Sequence, residues 1–127
     1  MLAKFISVML RGEQPTIFGD GTQSRDFTYI DNAVEANLLA STAPAAEVAG
    51  RVFNIATGQR SDLNQTYALL QTLTGYSGPV RFAPERAGDI KHSLADISLA
   101  QEHLGYRVQV DFEEGLRRTV EWYRQQQ

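Results

Sequence analysis

Ile17–Tyr29, IFGDGTQSRDFTY, is the stretch on which the fold turns. Ile17 and Phe18 are β-formers, and Gly19-Asp20-Gly21 supplies positive φ at no steric cost, so a strand is expected to end in a tight turn. Arg25 and Asp26 then precede Phe27 and Tyr29, which alternate as a second, half-buried strand would. An arginine beside a glycine turn and an apolar strand suits a guanidinium at a pocket edge, where its fork grips a phosphate. The same pattern suits a plain ion pair with a nearby carboxylate, and this stretch alone leaves both open.

Outward from it, the amino-terminal side reads as a helix. Leu2, Phe5, Ile6 and Met9 recur at i, i+3, i+4 and i+7, with Gly12 as its end. Pro15 starts the strand Thr16–Phe18, where a missing N–H does least harm. A chain that opens directly in an amphipathic helix reads as a piece of something larger. On the other side, Asp31 is expected to cap a helix over 32–41 with Val34, Leu38 and Leu39 facing inward, followed by a surface loop over 42–50.

RVFNIA, residues 51–56, has the nearly continuous apolar run of a strand covered on both faces. Ser61 or Asp62 caps a helix with Leu63, Tyr67, Leu70 and Leu73 inward and Gly75 at its end. Residues 80–83 form the next strand, so 51–83 reads as a right-handed βαβ unit with parallel strands. PERAGDIK, residues 84–91, then leaves a strand at its carboxyl end, where open α/β sheets place ligands. Asp96 caps a helix with Ile97, Ala100 and Leu104 inward, ended by Gly105. Asp111 opens the last helix, with Glu114 at N3 as in a capping box; Phe112, Leu116, Val120 and Tyr123 form its core stripe, with Trp122 at the edge. The expected fold is thus α/β, with a small, partly parallel sheet and about five helices.

Composition narrows the function. The 127 residues amount to one domain in size, and 43% hydrophobic with 21% charged residues is ordinary for a globular chain. A net charge of −3 argues against a nucleic-acid partner, and the absence of cysteine removes disulfides and thiolate chemistry. MLAKFISVML is too short and too interrupted by Lys4 for a membrane span or secretory leader, so no membrane partner is expected and a cytoplasmic location is the default.

No catalytic residue is assigned. His92 and His103 lack metal-site spacing; His103 is expected on the solvated side of its helix, while His92, just past the second loop, could approach a ligand. No two carboxylates form a persuasive acid/base pair. Gly19-x-Gly21-x-x-Ser24 misses the third glycine of the dinucleotide fingerprint and leads into a strand rather than a helix. No tyrosine is followed four positions later by lysine. What remains is two arginine-bearing loops, at Arg25 and Arg86, whose guanidiniums would suit a diphosphate if they converge.

PTIFGDGTQSRDFTYIDNAVEANLLA, RVFNIATG, PERAGDIKHSLADISLAQEHLGY and FEEGLRRTVEWY, in that order, resemble the NAD-dependent epimerase/dehydratase family. This is the extended branch of the short-chain dehydrogenases/reductases, with UDP-glucose 4-epimerase as its familiar type, and the resemblance covers the carboxyl-terminal, nucleotide-sugar-binding portion of such enzymes. It implies residues 1–127 as that substrate-binding portion, without the Rossmann half that carries NAD and the tyrosine–lysine pair. It also implies a UDP-sugar or related nucleotide sugar as ligand, with no cofactor bound by this chain alone and NAD in the intact enzyme.

By the same resemblance, the main chain at Thr16 and Phe18 holds the base, near Lys4 and Phe5. Arg25 and Arg86 grip the diphosphate and Asp89 accepts from the ribose hydroxyls, while His92 and Ser93 lie where sugar contacts occur. Bare helix faces in such a piece imply a homo-oligomer. Two other readings stay open, a stand-alone non-catalytic nucleotide-sugar-binding or assembly module, and a truncated gene product without activity.

Overall fold

The computed structural model describes residues 1–126. In chain order its elements are α1 (Leu2–Leu10), β1 (Thr16–Phe18), β2 (Ser24–Arg25), α2 (Ile30–Thr42), α3 (Ala45–Val48), β3 (Ser61–Asp62), α4 (Leu63–Thr74), β4 (Arg81–Ala83), α5 (Ser98–Leu104) and α6 (Phe112–Gln125). They divide into two compact units. Among the described residues, the first holds 1–25, 61–93 and 116–126, and the second holds 26–60 and 94–115, so only the first turn of α6 counts with the second.

In the first unit, the apolar stripe of α1 buries Phe5, Ile6 and Met9, and the helix packs on α4. β1 lies parallel to β4, with Thr16 opposite Arg81, Ile17 opposite Phe82 and Phe18 opposite Ala83. β2 pairs antiparallel with β3, Ser24 opposite Asp62 and Arg25 opposite Ser61. Asp62 caps α4 by accepting the Gln65 N–H at 2.7 Å, and Gly75 ends the helix in the left-handed region at φ 77°. Leu63, Leu70, Leu116 and Val120 are buried, as their helical spacing predicts.

The second unit is built on Ala36, Ala56, Ile97, Ala100, Leu104 and Tyr106, with Leu39, Phe53 and Ile55 packed against them. Asp96 accepts the Ser98 N–H at 2.9 Å where α5 begins, and Asp111 accepts the Glu114 N–H at 2.9 Å where α6 begins. Phe27 stacks on Phe112 with centroids 5.1 Å apart.

The fold is α/β with a small parallel sheet, but five local expectations change, the first being the cap of α2, which is Tyr29, with Asp31 inside the first turn. The parallel partner of β4 is β1 rather than residues 51–56, which join no ladder. Only Phe53, Ile55 and Ala56 of that run turn toward the cluster, and Val52 is 86% exposed. Phe27 and Tyr29 follow β2 without extending it, because Phe27 is taken up by the ring stack. In α2 the inward face is Asn32 and Ala36 with Leu39, whereas Val34 and Leu38 point to solvent, because Asn32 is drawn into the backbone of Gln109 and Val110. The 42–50 loop also contains a sixth helix, the single turn α3.

Candidate functional site

Residues that the sequence scatters come together in the first unit, around a cavity of about 560 Å³. Its walls are Lys4, Phe5 and Val8 of α1, Thr16 to Phe18 of β1, Arg25 of β2, and Arg86 to Asp89 of the loop after β4. Thr16, Phe18, Arg25, Arg86 and Asp89, all five residues assigned by resemblance, line it, whereas His92 and Ser93 do not. Asp89 is the one carboxylate in this lining, and no histidine is among the described lining residues.

The parallel ladder decides which backbone groups face the cavity. Arg81 N–H donates to Pro15 O at 2.9 Å and Gly19 N–H to Ala83 O at 2.8 Å. Strand groups alternate in direction, so Pro15, Ile17 and Gly19 are directed at β4 while Thr16 and Phe18 face the other edge. Of these, the Phe18 carbonyl accepts from the Gln23 side-chain amide.

The turn and the second loop are tied to each other. Asp20 accepts from the Thr22 N–H at 2.9 Å and the Thr22 hydroxyl at 2.6 Å, and Lys91 Nζ reaches Asp20 at 3.3 Å and Glu85 at 3.6 Å. The Thr22 hydroxyl and N–H, with Lys91 adding to them, bring the Asp20 carboxyl down to about 2, and the bond to Asp20 raises Lys91. Ser24 fixes the loop's far end. Its N–H donates to Lys91 O at 2.9 Å, its carbonyl accepts from the Ser93 N–H at 3.1 Å, and its hydroxyl lies 2.9 Å from His92 Nδ1.

The two arginines are held differently. Arg25 donates through Nη1 to Ser24 O at 2.8 Å and through Nη2 to Asp89 Oδ1 at 2.8 Å. Arg25 is thus paired with a carboxylate and also lines the cavity. The Arg86 guanidinium carbon sits 3.9 Å from the centroid of the Phe18 ring, and among the described residues Arg86 makes no side-chain hydrogen bond or ion pair.

Other residues had no role in the sequence reading. The Asp26 carboxylate accepts from the Thr57 hydroxyl and from the N–H groups of Thr57 and Gly58, each at 2.9 Å, which fastens the Thr57-Gly58 turn. An acid next to a Thr-Gly turn is a pairing visible only in space. His103 is not solvated as expected. Its side chain is 14% exposed, with Nδ1 2.6 Å from Glu47 and Nε2 2.8 Å from Arg51, because α3 brings Glu47 against α5. No group of three or more metal-ligating side chains occurs among the described residues.

Residues 1–56 match the sequence model of the NAD dependent epimerase/dehydratase family. The UDP-glucose 4-epimerase of Mycolicibacterium smegmatis is 34% identical over 98% of this chain and 39% of its own length. The crystal structure of UDP-glucose 4-epimerase with UDP-glucose from Thermotoga maritima superposes with a TM-score of 0.92 at 43% identity, over 98% of this chain and 39% of that one. UDP-glucuronic acid 4-epimerase from Bacillus cereus, in complex with UDP-glucuronic acid and NAD, gives 0.92 at 32% identity over 99% and 40%. This chain thus spans about two-fifths of the length of these relatives, and it belongs to the NAD-dependent epimerase/dehydratase family.

Proposed function

We propose that residues 1–127 are the nucleotide-sugar-binding part of a UDP-sugar epimerase or dehydratase, and that the ligand's nucleoside diphosphate lies in the cavity beside β1. The observation that carries this reading is the presence of two guanidiniums, Arg25 and Arg86, in the lining of one cavity, beside an edge of β1 to which no other described strand pairs. On this reading the outward main chain of Thr16 and Phe18 takes the pyrimidine, whose donor and acceptor edge matches a strand edge. Lys4 and Phe5 flank it, Arg25 and Arg86 fork onto the diphosphate, and Asp89 takes the ribose hydroxyls.

NAD supplies hydride chemistry to the intact enzyme, and we assign its binding to a Rossmann half outside these residues. The glycine turn does not fit it. A Cβ on Gly21 would run into the Asn64 side chain, and one on Gly19 would lie 2.8 Å from Glu85 Cγ. The space that these glycines leave is therefore filled by protein, in part by a carboxylate hostile to a pyrophosphate. With no acid/base pair in the cavity, this part holds substrate and does not turn it over. No helix among the described residues is long and apolar enough to cross a membrane, which suits the cytoplasmic setting we assign.

The proposal includes self-association. Ile30, Val34 and Leu38, one helical face of α2, are 62%, 50% and 58% exposed, and apolar faces of this kind drive assembly. A monomer in light scattering at high concentration would remove this part.

Calorimetry with UDP and UDP-glucose tests the site. Arg25→Ala and Arg86→Ala are each expected to weaken UDP by about 1.5–3 kcal/mol, the usual cost of losing a charged donor. Equal heats for the wild type and both variants would overturn the assignment.

A further inference from the structure

We infer that Phe18 is a positioning residue for Arg86: the face of its ring holds the guanidinium at the cavity while leaving the N–H edge open to an incoming anion. The inference rests on the diphosphate reading of the cavity and adds to it a role for the Phe18 side chain, where that reading uses only its main chain.

Arg86 belongs to the loop after β4, in which every residue from Pro84 to Ile90 is exposed. Such a side chain has many rotamers and little to choose among them. Its neighbour Glu85 does not restrain it, since Glu85 is 3.6 Å from Lys91. Among the described residues, what holds the guanidinium is the Phe18 ring, at 3.9 Å. The ring itself is set by β1, whose register against β4 brings Phe18 opposite Ala83, just before the loop.

The kind of restraint matters as much as its presence. A carboxylate would hold Arg86 by occupying its fork, as Asp89 does for Arg25, and a phosphate would then have to displace it. A ring attracts a cation through its π quadrupole, which acts on the flat face of the guanidinium. The five N–H donors point outward in the guanidinium plane and stay uncommitted. The cation is thus oriented before the ligand arrives, which lowers the ordering cost of binding.

The test is a double-mutant cycle read by UDP calorimetry, with circular dichroism confirming that each variant is folded. Phe18→Leu is expected to weaken UDP about two- to fivefold, the range of an exposed cation–π contact. Phe18→Tyr, which keeps the ring face, stays within about twofold. In the Arg86→Ala background, Phe18→Leu is expected to change nothing, because the residue it positions is gone. An equal loss in both backgrounds would mean that the ring acts on the ligand or the fold directly, and would overturn the inference.

If the wild type fails to bind UDP, the diphosphate reading falls, and the positioning role is read on the ligand-free chain. There the Arg86 side-chain protons are expected upfield by the ring current in the wild type and Phe18→Tyr, and at random-coil positions in Phe18→Leu. Random-coil positions in the wild type would overturn the inference as well.

Discussion

Asp89 occupies the fork of Arg25, Oδ1 to Nη2 at 2.8 Å and 64 positions apart, on the wall of the cavity that we assign to the diphosphate. The side chains are 24% and 45% exposed, which places the pair among those worth about 1 kcal/mol or less. A charge-assisted bond to a phosphate is worth about 1.5–3 kcal/mol. On the proposed reading, an arriving diphosphate would take Arg25 from Asp89 and leave the released carboxylate beside the ribose, so that two steps of recognition would become one exchange.

Asp89→Ala separates them. Arg25 keeps its bond to Ser24 O, so the arm stays in place without its competitor. Inorganic pyrophosphate is expected to bind a few-fold tighter to this variant, while UDP gains less or loses affinity because the ribose acceptor is gone. The quantity to measure is the ratio of the two dissociation constants. An unchanged ratio would show that Asp89 makes no distinction between the nucleoside and the bare anion.

Asn32 is expected to be the costliest single polar side chain in the second unit. It is fully buried, donating through Nδ2 to Val110 O at 2.7 Å and accepting through Oδ1 from Gln109 N–H at 2.9 Å and Val110 N–H at 3.0 Å. Asn32→Ala strands one acceptor and two donors, at about 2–4 kcal/mol. Asn32→Asp keeps the acceptor but sets a carboxylate oxygen against Val110 O in a fully buried site, so it should cost at least as much. Urea midpoints at constant slope give both numbers, and a loss under about 0.5 kcal/mol for Asn32→Ala would mean that water replaces the amide freely.

What could be seen in the sequence follows from the range of each interaction. Helix ends rest on neighbours within one turn, so Asp62, Gly75 and Asp111 stand where their chemistry puts them, while Asp96 lies one residue ahead of the cap of α5 and Asp31 lies inside α2. That Thr16, Phe18, Arg25, Arg86 and Asp89 share one cavity lining is long-range pairing, which a family resemblance can carry and periodicity cannot. What failed was decided across distance. RVFNIA has the composition of a strand, but a ladder needs a partner, and among the described residues none is supplied. The inward face of α2 was misjudged because hydrophobicity favours Val34 and Leu38, while Asn32 gains three hydrogen bonds from a segment nearly eighty positions on. The stacking of Arg86 on Phe18 joins two strand ends adjacent only in the parallel register.

Acid should loosen the loop over 84–91 before it unfolds the chain. Asp20 titrates at about 2 in the folded chain against an ordinary 3.8, so its contribution is complete above about 4 and is lost as pH falls through 2. Protonation takes the charge from the turn carboxylate that Lys91 reaches at 3.3 Å. The protection factors of the Asp89 and Ser93 amides, which donate to Arg86 O and Ser24 O, are expected to fall between about pH 4 and 2 once the intrinsic rate is divided out, and in Asp20→Asn to be low already at pH 5. Equal protection in wild type and variant at pH 5 would show that Lys91 does not anchor the loop through Asp20.

The bonding of His103 fixes its tautomer, and with it a spectroscopic outcome. Arg51 can only donate, so Nε2, 2.8 Å from Arg51 Nη1, is the acceptor of the ring. The neutral ring then carries its proton on Nδ1 and gives it to Glu47 at 2.6 Å, a bond that also holds the Glu47 carboxyl below its ordinary value. At about pH 8, where an ordinary imidazole is neutral, long-range proton–nitrogen correlation should show a protonated Nδ1 and a bare Nε2. Arg51→Leu removes the donor that selects this form and should shift the ring toward Nε2–H, while Glu47→Gln should leave the Arg51 contact in place. Should the wild type carry its proton on Nε2, Arg51 would have to lie elsewhere, and the link from α3 to α5 would run through Glu47 alone.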